Sequence, residues 1–327
     1  MKKSKIITIA GFIISILLLY LSLKDIKFQA ILMTFKKADY RFVFLPLIFI
    51  FVSATLCAFK WSKIAGSGVR FRETFVALVI GLFVNNVLPA RLGEVARGYV
   101  LSKKKGLSFT YSFSTVLVDR FFDLIGLLIL LFLFFPKHRL PLKVSQGIYI
   151  LVAFLIICII IMFIMSRENV ANTLAGRLVK IERPFLSRVA KRIVEIQENL
   201  KRIHSPINFI YFICIAFLQW LSMSTALYFA MLTLDIPIKF VYIPFVCALL
   251  NMGISIPSSP GYLGIYQFLL VYLLAIFNVP KYEGFAVSML FHASWYIPYN
   301  ILGFAFLLKE HLKIREIRKL EEKNDSE

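Results

Sequence analysis

The sequence predicts an all-α, polytopic helical membrane protein, and three observations carry that prediction. Apolar residues gather in runs of about 20, the length at which a helix crosses about 30 Å of hydrocarbon. Hydrophobic residues make up 59% of the 327-residue chain and charged ones only 17%, against about 25% charged in ordinary soluble domains, so a single core has too much apolar surface to hide. Finally, the 38 Lys and Arg lie in short segments between the apolar runs, the arrangement of the positive-inside rule. The formal charge of +20 therefore points to anionic lipid headgroups and not to nucleic acid.

Taken in order, full-length helical runs fall at about 6–23, 42–64, 111–135, 148–165, 207–233 and 284–308, giving about six spans. The first follows Lys2, Lys3 and Lys5 and lacks a small-residue cleavage site, so it reads as a retained span. Two apolar regions do not fit a simple crossing. The stretch from Phe75 is short and runs into polar residues and Pro89. The stretch 241–278 is long enough for two passes but is broken at Pro257-Ser258-Ser259-Pro260-Gly261.

Following the Lys and Arg fixes an expected topology. With both termini in the cytoplasm, the clusters at Lys63, Arg70 and Arg72 and at Arg97 and Lys103 to Lys105 share the inner face only if 75–108 enters and leaves by that face. The same rule makes 241–278 a hairpin from the outer side. Two re-entrant helical hairpins from opposite faces are thus expected, with Lys24, Lys27, Lys36, Lys37 and Arg41 as a misfit outside. Both hairpins carry P-x-x-L-G, at Pro89 to Gly93 and Pro260 to Gly264, which fits an inverted repeat as well as chance. The polar insert 167–204 repeats apolar residues at spacings of three and four, an amphipathic pattern that suits either the inner leaflet surface or a linker folded over the bundle. Residues 309–327 form a short charged cytoplasmic tail.

The candidate site residues cluster where apolar runs break. Asn85, Asn86, Arg91, Glu94 and Arg97 interrupt the first hairpin, and an ionisable group in hydrocarbon costs about 2.5–3.5 kcal/mol unless it meets a partner or an aqueous cavity. Arg91 and Arg97 suit a phosphate, and Glu94 can balance them or exchange a proton. Asp119 and Asp123 share one helix face at i and i+4 within an apolar span and require cationic partners, for which Arg91, Arg97 and Arg120 are available. Structural charge pairing is favoured there over proton transfer, and no metal is expected. In the second hairpin Asn251, Ser255, Ser258, Ser259, Gly261, Gly264 and Gln267 are polar but uncharged, and amides freed at a broken helix can bind an anionic headgroup. His292, Trp295, Tyr296, Tyr299 and Asn300 place polar tips in the last span. Cys57, Cys158, Cys214 and Cys247 each sit singly in an apolar run as small hydrophobes. No P-loop, Rossmann fingerprint, G-x-S-x-G or H-E-x-x-H occurs, so no cofactor and no catalytic residue is assigned.

Asn86-Val87-Leu88-Pro89-Ala90-Arg91-Leu92-Gly93-Glu94, Asp119-Arg120-Phe121-Phe122-Asp123 and Pro260-Gly261-Tyr262-Leu263-Gly264, in this order, resemble the lysylphosphatidylglycerol synthase transmembrane, or flippase-like, domain family over nearly the whole chain. The resemblance implies a flippase-like transmembrane domain at 1–308. In the family's best-known members such a domain precedes a soluble aminoacyl transfer domain and moves aminoacylated phosphatidylglycerol between leaflets. This chain resembles the membrane half standing alone. The family pattern carries an acidic residue shortly after the second hairpin's glycine, where this sequence has Gln267, so ion coupling through that position is not implied.

The leading expectation is a translocator of an anionic or aminoacylated phospholipid, or of a polyprenyl-phosphate-linked lipid, in the plasma membrane. The alternatives are a membrane enzyme of lipid-phosphate chemistry using Asp119, Asp123 or Glu94 as acid or base, and a non-transporting accessory subunit that partners envelope or glycolipid assembly proteins.

Overall fold

In the computed structural model, residues 2–66, 68–88, 92–136, 205–255 and 259–312 are described, together with a few isolated positions between 146 and 178. Within them the chain forms α1 (Lys2–Leu23), α2 (Phe28–Lys36), α3 (Phe44–Ala65), α4 (Phe71–Val87), α5 (Gly93–Lys105), α6 (Phe109–Leu133), α7 (Pro206–Thr233), α8 (Ile243–Gly253), α9 (Ile265–Ala275) and α10 (Lys281–Lys309), with no strand. Apart from those isolated positions, the expected span 148–165 and the insert 167–204 lie outside the described residues, as do Cys158, Arg91, Ser258 and all of the tail beyond 312.

Local chemistry sets the helix ends. Ser108 accepts from Tyr111 N at 3.0 Å and opens α6. Pro206 starts α7, where its missing N–H costs nothing. Glu73 accepts from Arg70 N at 2.8 Å at the start of α4, and Gly106 closes α5 in the left-handed region at φ 65°. α4 ends at Val87, two residues before Pro89. α2 was not expected. It and the turn at Tyr40–Phe42 occupy the basic stretch that misfits the topology, where Arg41 pairs with Asp39 at 2.6 Å. Hydrogen bonds from Arg41 hold the Asp39 carboxyl below its ordinary value.

α3 and α7, packed along each other, are long and apolar enough to cross a membrane. α4 lies against α10 and α5, α6 against α7, and α9 against α10 and α1. The outward faces are apolar, with Ile16 67%, Ile207 79% and Ile301 64% exposed. Such a belt is stable against lipid and not against water.

The helix ends sort into two groups. At one end of the bundle Lys105 pairs with Glu73 at 3.5 Å, Lys104 pairs with Glu310, and Tyr111 Oη donates to Ala65 O at 3.1 Å. The α4–α5 hairpin therefore starts and finishes beside the end of α3, the start of α6 and the end of α10. At the other end Asp39 N donates to Thr233 O at 2.7 Å, and the rings of Tyr242 and Phe277 stack at 4.6 Å. The α8–α9 hairpin thus starts and finishes beside the start of α3 and the end of α7. α8 and α9 have 11 residues each, about 16 Å of helix and roughly half the hydrocarbon thickness. The two hairpins enter from opposite ends, the geometry an inverted repeat requires.

Each P-x-x-L-G glycine meets the same chemistry. Gly93 N donates to Asn85 Oδ1 at 2.6 Å and Gly264 N to Gln267 Oε1 at 2.8 Å, so a carboxamide of the same hairpin satisfies the freed amide both times. Gly264 has φ 90°, and a Cβ there would run into the backbone of Ser15 in α1. Gly264→Ala should therefore pry α1 from α9, lowering Tm and exposing α1 to protease more than Gly284→Ala, whose Cβ would sit at a tight but far less severe 3.3 Å from Val271 Cα.

Candidate functional site

Among the described residues, a dense group of charges interrupts the apolar interior where α3, α5 and α6 meet. Lys60 of α3 is fully buried; its ammonium lies 3.3 Å from Asp119 Oδ1 and pairs with Asp123 Oδ1. Arg97 of α5, 1% exposed, donates to Asp119 Oδ2 at 2.7 Å, and its guanidinium lies 4.3 Å from the centre of the Trp61 ring. Trp61 is held by its own hydrogen bond to Thr115 Oγ1 at 2.9 Å. Arg120 reaches Asp123 Oδ2 at 2.9 Å and Glu94 Oε1 at 3.6 Å. Asn85 Nδ2 donates to Glu94 Oε2 at 3.5 Å.

Lys60, Arg97 and Arg120 face Glu94, Asp119 and Asp123, so the six charges cancel three against three. Neutrality and mutual hydrogen bonding make such a cluster tolerable in a low-dielectric interior. The ligand-type atoms of Cys57, Asp119 and Asp123 lie within 4.8 Å of one another. The Lys60 ammonium already sits between the two carboxylates, in the place a cation would take.

One side of this cluster opens into a cavity of about 420 Å³. Asn85 and Glu94 from the first hairpin, Arg120 and Asp123 from α6, and Asn251 and Ser255 from the second hairpin border it. Leu78, Leu82, Leu124 and Leu127 line an apolar stretch, and Tyr266, Trp295 and Tyr299 an aromatic one. The tips of two hairpins that enter from opposite ends thus share one amphipathic space.

The expected binding residues divide. Asn85 and Glu94 border the cavity, whereas Asn86, Arg97, Ser259, Gly261, Gly264 and Gln267 are not part of its wall. Arg97 is committed to Asp119, and Arg120 is the described arginine on the wall. Ser259 N donates to Ser15 Oγ at 3.2 Å, Gly261 abuts the Tyr296 ring, and Gln267 Nε2 lies 3.0 Å from His292 Nδ1, so this loop is bound up in packing against α1 and α10. Sequence reasoning missed Lys60. Its signal was a charge inside the apolar run 42–64, masked by Lys63 and the run's end just beyond it. It also missed Gln219 and Trp220 of α7, both on the cavity wall.

Fold and site together define a helical membrane protein built on two broken-helix hairpins around a charged internal cavity. The family model described as the lysylphosphatidylglycerol synthase TM region matches residues 8–303, and the chain belongs to this family. Among similar proteins are a UPF0104 membrane protein of Methanocaldococcus jannaschii, 28% identical over 229 residues covering 68% of this chain and 92% of the relative. Another, of Pyrococcus horikoshii, is 26% identical over 310 residues, covering 84% and 88%. A second protein of Methanocaldococcus jannaschii, with the same UPF0104 description, is 22% identical, covering 90% and 93%.

Proposed function

We propose that this protein is a lipid translocator that carries a phosphate-bearing lipid between leaflets, headgroup in the cavity and acyl or prenyl chains outside. The observation that carries the reading is the amphipathic cavity bordered by both hairpin tips, with Asn85, Glu94, Arg120 and Asp123 on its charged wall. A charged headgroup crossing about 30 Å of hydrocarbon needs polar partners along the way, and hairpins entering from opposite ends supply them from each side. Arg120 is the natural phosphate partner. Its 3.6 Å contact with Glu94 is loose, and a guanidinium can grip a phosphate with two parallel hydrogen bonds. Membership of the lysylphosphatidylglycerol synthase TM family supports a lipid as cargo.

The bundle end that carries Lys63, Arg70, Lys104 and Lys105 is then the cytoplasmic one, by the positive-inside rule, in the plasma membrane. The direct test is photolabelling with a phosphatidylglycerol whose headgroup bears a diazirine. Label should map to peptides containing Asn85 to Lys103 and Val118 to Leu124, and unlabelled phosphatidylglycerol should compete for it. Arg120→Gln should cut labelling about tenfold, with Arg120→Lys intermediate. Labelling confined to the outward belt of α1 and α10, or unaltered by Arg120→Gln in folded protein, would overturn the reading.

A further inference from the structure

The cavity makes no use of the basic stretch 24–41 that misfits the positive-inside rule, since none of its lining residues comes from there. That stretch folds as α2 and its flanks. It lies at the end of the bundle away from Lys104 and Lys105, because Asp39 N, just past α2, donates to Thr233 O at the end of α7. One face of α2 is settled by packing: Ile31 and Thr34 are buried, and Phe35 packs on the core. The other carries Phe28, Leu32 and Met33, 70%, 45% and 60% exposed, together with Gln29 and Lys36. Positions 28, 29, 32, 33 and 36 share one side of a helix. Three of the five are large and apolar, which suits hydrocarbon and not water. Tyr40, 56% exposed, donates from its Oη to Phe35 O at 2.9 Å and so sits against the same helix, an aromatic of the kind that gathers at the membrane interface.

Lys24 and Lys27 precede α2, and Lys36 and Lys37 close it; all four are exposed, and none forms an ion pair among the described residues. Arg41 is committed to Asp39. The negative partial charge at a helix C-terminus accounts for Lys24, just past α1, and for Lys36 and Lys37. Lys27 has no such reason, because it caps the N-terminus of α2, where the partial charge is positive. Cations crowded around nine residues repel one another unless counter-charge answers them. A lysine beside an apolar face lays its stem along hydrocarbon and lifts its ammonium among headgroups. We propose that α2 lies in the membrane interface at this end of the bundle and that its four lysines bind the headgroups of anionic phospholipids in that leaflet. A zwitterionic headgroup brings its own ammonium with its phosphate and gains far less from the same lysines, so the surface selects by net charge. It stands apart from the cavity and does not depend on a lipid passing through it.

The test is fluorescence quenching of the full chain in phosphatidylcholine vesicles, with Met33→Trp as the reporter on the exposed face of α2 and the signal of the three native tryptophans subtracted. Dibrominated phosphatidylglycerol or dibrominated phosphatidylcholine is added at the same low mole fraction. Both should quench the reporter, because the face lies in lipid, and phosphatidylglycerol should reach the same quenching at about fivefold lower mole fraction. Raising the salt concentration should shrink the difference. The triple change Lys27→Gln, Lys36→Gln and Lys37→Gln, at exposed positions, should bring the two lipids within about twofold of each other. Quenching by phosphatidylcholine and Tm should stay as they were. Phe28→Trp, a second reporter on the same face, should give the same order. Quenching by neither lipid would mean that something other than lipid covers this face and would overturn the proposal. Equal quenching by the two lipids, or a preference kept in the triple variant, would overturn it as well.

Discussion

Lys60→Met should destabilise the protein by about 3–5 kcal/mol, the cost of stranding a buried charge by removing its partner. Lys60 is the cation shared by Asp119 and Asp123, and its side chain is fully buried. Without it two carboxylates remain against Arg97 and Arg120, which also answer to Trp61 and Glu94. Thermal unfolding in detergent should show a large fall in Tm, and expression of folded protein should drop. The double change Lys60→Met with Asp123→Asn removes one charge of each sign and should recover a substantial part of the loss. Failure of the second change to rescue would mean that Lys60 acts through packing and not through charge balance. Because the double variant keeps the cluster neutral, it also separates a purely structural cluster from one needed for activity.

Gly93→Ala is the second large effect. α4 and α5 approach so closely at the hairpin tip that a Cβ on Gly93 would collide with Gly81 O and with the Asn85 side chain. The reciprocal Cβ on Gly81 would lie 2.7 Å from Gly93 O. Two of these obstacles are backbone and cannot rotate away, so the penalty should exceed the roughly 1–3 kcal/mol typical of overpacking. The same methyl would push Asn85 from the Gly93 amide and from Glu94. Gly93→Ala and Gly81→Ala should therefore both lower Tm and abolish headgroup labelling, while Gly284→Ala lowers Tm by less and leaves labelling in place. Near-normal stability in Gly93→Ala would contradict the tight hairpin.

The long helices were legible because length and hydropathy alone specify them. The expected run 42–64 is α3 at Phe44–Ala65, and 207–233 is α7 at Pro206–Thr233. Breaks at Pro89 and Pro257 marked both hairpins, since proline and polar residues interrupt apolar helices for reasons visible in the chain itself. α2 was illegible. Nine residues between basic flanks, Lys27 and Lys37, are apolar enough to pack but too short to read as a span or to hold as an isolated helix, and packing against α10 gives the helix a reason to form. In the site, carboxylates at i and i+4 on α6 announced a need for cations, but spacing within one helix cannot say which distant residue answers. Lys60 stands beside Trp61 and Lys63 in a segment that reads as an interfacial flank, and its inward direction depends on where α6 lies. Gln219 and Trp220 hid inside one of the most apolar runs for the same reason: a cavity wall is a property of several helices together.

The most direct test of the account is lipid movement itself. The purified chain is reconstituted into vesicles containing a trace of headgroup-labelled phosphatidylglycerol whose fluorophore is quenched only from outside. Wild type should render the inner-leaflet lipid accessible well beyond protein-free vesicles, and Arg120→Gln in folded protein should fall to near the protein-free rate. A wild-type protein that is folded, binds lipid and yet moves none, or an Arg120→Gln variant as active as wild type, would contradict the claim that the cavity between the hairpins is a path for a lipid headgroup.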